Sequence, residues 1–191
     1  GEFGKTLVYE IRDWDEGGRA LRRPPPPLRE IDRRGWRAWA NVNPEAAALA
    51  VDGDGETRWD TAEPQRPGHH FEVDLGEVER LDLLRLVFSP STWDYPRGFI
   101  VQATQDGQNW MTVSRSDEVH IDIRQYIQPK DFSVDIPLPG ICARAFRVTI
   151  TGQDPVWYWS IHELFAFSAE PGRPGTPGKG SLNKRGDEEA R

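Results

Sequence analysis

The chain has one cysteine and one methionine among 191 residues. A single thiol cannot close an intramolecular disulfide, so cross-linking does not hold this chain together, and cysteine usage says nothing about compartment. Cys142 lies in the strand-like run GICARAFRVTI and is expected to be a small buried apolar residue. Positive charge is also short: 24 Lys and Arg stand against 31 Asp and Glu, a net charge of −7. That balance argues against nonspecific nucleic-acid binding and leaves no basic surface for anionic lipid. Long apolar runs are missing. No stretch approaches the roughly 18 apolar residues that a spanning helix needs, so no direct membrane insertion is expected. With four histidines and one cysteine, a catalytic zinc site is not expected. The G-x-S-x-G, P-loop and H-E-x-x-H signatures do not occur. An enzyme with its whole active site in these residues is therefore not expected. The chain opens on GEFG without an initiator Met, which reads as a piece of something larger.

What is present is organised in three parts. Residues 1–35 offer one short strand-like piece, TLVYEI, a charged Gly-rich stretch, and a four-proline run at Pro24 to Pro27. That run is expected as stiff polyproline II, a spacer. Residues 168–191 are Pro/Gly-rich and then charged, and read as a disordered tail or linker. Residues 36–167 read as β structure. HFEVDLG, LDLLRLVF, GFIVQATQ, FSVDIPL, FRVTITG and WSIHELFAF alternate apolar and polar positions between turn residues. QDGQNW places an Asp-Gly turn between two of these runs, a hairpin signal. Only NPEAAALA reads as helical, with Asn43 as cap and Pro44 at the first position. One short helix and about eight short strands make an all-β antiparallel sandwich or jelly roll.

The stretch LAVDGDGETRWD sets Asp52, Asp54, Glu56 and Asp60 close together around Gly53 and Gly55. Carboxylates this near repel unless something positive lies among them. A catalytic acid pair needs two unlike environments, of which the stretch gives no sign. An EF-hand needs Gly at its sixth position, where counting from Asp52 finds Thr57. Two readings stay open: a loop folded round a hard cation such as calcium, and a solvated turn-rich loop.

Several motifs together are similar to one family. NPEAAALAVDGDGETRW, HHFEVDLGEVERLDLLRL, GFIVQATQDGQNW, ARAFRVTITG and WSIHELFAF, in that order, resemble the discoidin superfamily. This is the coagulation factor V/VIII type C domain, seen also as family 32 carbohydrate-binding modules. The resemblance implies an eight-stranded antiparallel jelly-roll β-sandwich, galactose-binding-domain-like, with one short helix. It implies a structural calcium held by the Leu49 carbonyl, Asp52, Asp54, Thr57, the His162 carbonyl and Glu163. Trp59 then reads as core beneath the loop. The vertebrate members bracket the domain with a disulfide, which Cys142 alone cannot make, and this favours the bacterial, glycan-binding branch.

In such folds ligands meet the loops at one end, and two loops here are aromatic. SPSTWDYPRG carries Trp93, Asp94, Tyr95 and Arg97; TGQDPVWYWS carries Trp157, Tyr158 and Trp159. Alternation puts Trp157 and Trp159 on one face and Tyr158 on the other. Trp159 is expected in the core beside Ile161, and Trp157, nearer the loop tip, is the surface candidate. Asp60, Glu63 and His69 are further candidates from the loop between Trp59 and His70. His69 and His70 are adjacent, so they point to opposite faces and are not expected to share a metal. GKTLVYEIRD and YWSIHEL also resemble the C-terminal regions of bacterial membrane glycosyltransferases, where a discoidin-like domain follows the membrane part. The reading is a non-catalytic, calcium-stabilised, carbohydrate-binding module that is extracytoplasmic and attached to a membrane-embedded domain. The competing class is a protein-interaction or architectural discoidin module. It would bury Trp93 and Trp157, whereas a glycan binder would expose them.

Overall fold

A computed structural model describes residues 12–14, 20–22, 27–121 and 132–170. Its strands are β1 (Arg12–Trp14), β2 (Ala20–Arg22), β3 (Leu28–Glu30), β4 (Arg37–Ala40), β5 (Trp59–Asp60) and β6 (His70–Val87). They continue with β7 (Phe99–Thr104), β8 (Met111–Ser116), β9 (Ser133–Ile150), β10 (Ser160–Ile161) and β11 (Glu163–Ala169). The main sheet is seven-stranded, in the order β3-β11-β6-β9-β7-β8, with β4 also on β6. Every pairing is antiparallel. Strands β1 and β2 pair separately, as do β5 and β10.

The fold is the antiparallel sandwich that the alternating runs imply, with fewer and longer central strands. HFEVDLG and LDLLRLV are two halves of β6, and SVDIPL and FRVTI lie in β9. Register breaks between Asp74 and Glu79 and between Leu81 and Leu83 separate the halves. Gly76 and Gly140 take left-handed φ of 86° and 71° at the joins, a conformation that a Cβ disfavours. The first half of β6 pairs with β4 and the second with β11. Both halves send Phe71, Val73, Leu84 and Leu86 into one continuous core. The Asp-Gly turn joins β7 to β8 as expected, with Gly107 at φ 75°.

Four expectations need adjusting. Cys142 is exposed. Ala143 takes the inward position on β9, so period-2 alternation turns Cys142 and Arg144 outward. The helix over Pro44–Ala50 is a 3-10 helix, and Asn43 at its start makes no side-chain cap. The Asn43 amide instead donates to the Asp60 carbonyl at 3.0 Å. The sandwich also reaches outside 36–167. β3 pairs with the end of β11, Ile31 is in the core, and the Glu170 amide donates to the Pro27 carbonyl at 2.9 Å. Residues 27–35 therefore belong to the sandwich, not to a linker. The TLVYEI strand, Pro24 to Pro26 and the tail from residue 171 lie outside the described residues. No helix among the described residues is long and apolar enough to cross a membrane.

Candidate functional site

Both aromatic loops reach one end of the sandwich, beside the short β5–β10 ladder. A buried glutamine that the sequence does not advertise organises them. The Gln65 side-chain amide donates to the carbonyls of Tyr95 (3.1 Å) and Tyr158 (3.0 Å), and its side-chain oxygen accepts from the Arg97 amide (2.9 Å). Its backbone amide donates to the Trp157 carbonyl, and its carbonyl accepts from the Asp154 amide. One side chain and its own backbone thus tie three loops together. Nothing in QRPG at the sequence level marks this role.

Arg97 is a second tie. Its guanidinium donates to Asp154 Oδ2, to the Tyr95 carbonyl at 2.9 Å and to the Trp93 carbonyl at 3.0 Å. It also lies 3.9 Å from the centre of the Tyr95 ring. Burial alone would raise the Asp154 carboxyl. The amides of Trp157 and Val156 and the Arg97 guanidinium together hold it below the usual range. Arg97 and Tyr95 are thus engaged within the protein, in positions that fix the two loops.

What the ties present is an open pocket of about 460 Å³. Trp93 and Trp157 form its aromatic wall, 48% and 42% exposed. Their rings stack with centres 5.8 Å apart and planes 19° apart. Asp94 and Tyr158 also line it, and so does Arg58, which sequence reading passed over. Arg58 lies 3.1 Å from Asp60 and 3.6 Å from Asp94, and donates to the Ser91 hydroxyl. Burial raises the Asp94 pKa against the pull of Arg58. Asp60 therefore reaches the pocket rim through Arg58. Glu63 and His69 do not join it; they pair with each other at 3.1 Å, with Arg66 on Glu63 at 2.6 Å. Burial lowers the His69 pKa, with Glu63 opposing the shift and Arg66 adding to it.

The acidic loop lies behind this end. Trp59 is fully buried beneath it, with its indole N–H directed at the carbonyls of Val42 and Asn43. The β5–β10 pairing sets the loop against the chain that enters β11. The Thr57 hydroxyl lies 2.9 Å from Asp52 Oδ2, 2.9 Å from the Asp54 carbonyl and 3.4 Å from the Leu49 carbonyl. Asp54 is turned so that its carboxylate accepts the Glu56 amide, leaving its carbonyl toward Thr57. Glu163 is only 5% exposed, and its Oε1 has no hydrogen-bond partner. Burial raises the Glu163 pKa against Arg33 and the Gly53 amide. The His162 ring meets the Gly55 carbonyl through Nδ1 and Ser91 Oγ through Nε2, each at 3.0 Å. Gly55 can only accept, so Nδ1 carries the proton and Nε2 accepts from Ser91. That ring links the acidic loop to the pocket.

No trio of His, Cys, Asp or Glu side chains converges among the described residues. The donors that do converge are all oxygens: two carbonyls, one hydroxyl and the Asp52 carboxylate, near a buried unpartnered carboxylate oxygen. This is the donor chemistry of a hard cation such as calcium, and the residues fit one.

Residues 31–164 match the F5/8 type C domain family. No curated protein matches the chain. Among solved structures, it is similar to the family 32 carbohydrate-binding module of C. perfringens NanJ, solved with galactose. The TM-score is 0.60 at 15% identity, covering 74% of this chain and 99% of that one. A second family 32 module from Clostridium perfringens, solved with GalNAc-β-1,3-galactose, gives 0.59 at 14%, covering 73% and 100%. Chitosan-binding module 1 of a chitosanase/glucanase from Paenibacillus sp. IK-5 gives 0.54 at 23%, covering 68% and 92%. At these identities the likeness is one of fold.

Proposed function

The chain belongs to the F5/8 type C domain family, and on that premise we propose that it is a non-catalytic carbohydrate-binding module. The observation that carries this reading is the stacked, half-exposed pair Trp93 and Trp157, walling a pocket beside Arg58 and Asp94. Exposed aromatic faces suit the C–H faces of sugar rings, and a few fixed polar groups give orientation. The pocket's charge narrows the ligand. Among the described residues its one lining guanidinium is already shared by Asp60 and Asp94, which leaves no unbalanced cation there for a carboxylate-bearing sugar. A neutral or amine-bearing saccharide fits better. Calcium belongs to the same reading: Leu49, Asp52, Asp54, Thr57, His162 and Glu163 would hold it, and it would tie the acidic loop to the last strand. So does an extracytoplasmic setting, with the module attached to a membrane-embedded, glycan-active partner domain.

The test is a glycan array with neutral, amino and uronic sugars, run in calcium-containing buffer with a Trp93→Ala/Trp157→Ala double variant alongside. Selective binding to neutral or amino sugars, lost in the variant, is the expected result. Binding that survives the double substitution, or that selects uronates, overturns the pocket assignment. A blank array moves the weight to a protein-interaction module.

A further inference from the structure

Four carboxylates between residues 52 and 60 need positive charge near them. Arg58 serves Asp60 and Asp94 at the pocket. A second arginine, from outside the loop, stands beside it against Gly53 and pairs with Glu163. Arg33 follows Ile31, whose side chain is buried in the core and whose amide donates to the Ala166 carbonyl at 2.9 Å. The Arg33 carbonyl accepts from the Trp36 amide. The backbone around Arg33 is thus fixed, and the long side chain reaches the acidic loop. Its guanidinium pairs with Glu163 Oε2, lies 4.4 Å from the Phe165 ring centre and approaches Glu30 at 3.8 Å. It also lies against Gly53, where its Nη2 stands 4.0 Å from the place a Cβ would occupy.

We propose that Arg33 is the resident cation of the acidic loop and competes with calcium for Glu163. This rests on the calcium reading above. The competition follows from how Glu163 divides its oxygens. Arg33 holds Oε2, while the buried Oε1 has no partner and remains for a metal. Without metal, the Arg33–Glu163 pair still ties the segment between β3 and β4, which lies against Gly53, to the start of β11. A divalent ion entering between Asp52, Thr57 and Glu163 meets a like charge already on the same carboxylate, and that repulsion acts in a partly desolvated place. Arg33 therefore supports the metal-free fold and weakens calcium binding.

The experiment is calcium titration by calorimetry, with thermal melts in EDTA and in calcium, on the wild type and on Arg33→Met. The variant should bind calcium roughly tenfold tighter or more, since one nearby like charge is gone. Its melt should fall in EDTA, and calcium should raise that melt by more than it raises the wild type. A merely structural arginine would lower both melts equally and leave calcium affinity unchanged. If Arg33→Met does not fold, Arg33→Gln removes the charge and keeps a donor for Glu163, and it carries the same expectation. Unchanged or weaker calcium binding in the neutral variant, with the wild type binding, overturns the role of Arg33 and leaves the calcium site standing. No binding by wild type or variant overturns both.

Discussion

Two pairs of tryptophans lie at the same end of this molecule and have opposite fates. Trp59 and Trp159 meet edge to face inside the core, centres 4.9 Å apart and planes 89° apart. Both are fully buried. Trp93 and Trp157 stack nearly parallel at the surface. Trp157 and Trp159 are only two residues apart, so residue type and local sequence do not decide the difference. What decides it is where the ladder begins. Ser160 and Ile161 pair with Asp60 and Trp59, and the Trp159 amide donates to Thr61 Oγ1 while its carbonyl accepts the Thr61 amide. Trp159 is therefore already held by the β5 side and drawn inward. Trp157 is held by its backbone to Gln65 and Asp154, which leaves its ring outside. Aromatic surface in this fold is put to two uses, and the backbone partners of each residue choose between them.

The largest effect expected from this comparison is on the inner pair. Trp159→Ala should cost roughly 3–5 kcal/mol of folding stability, the range for emptying a buried Trp site. Urea unfolding reads it directly. One detail pulls the figure toward the lower end: the Trp159 indole N–H is buried without a partner, and deleting it relieves a cost. The outer pair should respond in the other direction. Trp157→Ala should change stability by less than about 1 kcal/mol, as an exposed surface substitution does, and should weaken glycan binding about tenfold or more, as loss of an aromatic anchor does. A Trp157→Ala protein as unstable as Trp159→Ala would erase the distinction between the pairs.

Much of this was legible in the sequence, and the reasons are local. Period-2 alternation in HFEVDLG and FRVTITG marks the strands, because one face of each is core. The same rule puts Trp157 and Trp159 on one face, and only the place of Trp157 nearer the loop tip marks it as the outer one. The rule also misses, because it gives a period and not a phase. Cys142 sits in an apolar run, but Ala143 takes the inward side and Cys142 is exposed. Long-range partners are not legible at all. Arg97 reads as a ligand contact beside Asp94, yet it pairs with Asp154, 57 positions away, while Asp94 faces Arg58. Gln65 and Arg33 carry no motif, because their roles exist only once three loops, or two chain segments, have been brought together by the sheet.

The last prediction sharpens the comparison at its polar edge. If the outer pair's surroundings serve ligand and not stability, the charge beside it should be a cost to the fold. Asp94 is 8% exposed, and its folded pKa is raised above the ordinary 3.8 by burial, against Arg58. A carboxyl whose folded pKa is raised binds a proton more readily in the native state than in the unfolded chain. Its contribution to stability is then most favourable at low pH and declines as pH rises from the unfolded value through the folded one. At neutral pH the ionised Asp94 is disfavoured inside the protein. Asp94→Asn removes the titration and keeps the shape. The variant should therefore melt as high as the wild type or higher near pH 7, and this relative advantage should shrink as both are taken below about pH 4, where Asp94 itself becomes neutral. The histidines that burial holds below 6.5 (His69, His70 and His162) will lower both melts in acid alike, so the difference between the two proteins isolates Asp94. Glycan binding at neutral pH should weaken in the same variant, because a carboxylate beside the aromatic wall is lost. If Asp94→Asn instead melts well below the wild type at neutral pH and binds glycan normally, Asp94 is part of the scaffold and the functional edge of the outer pair lies at Arg58.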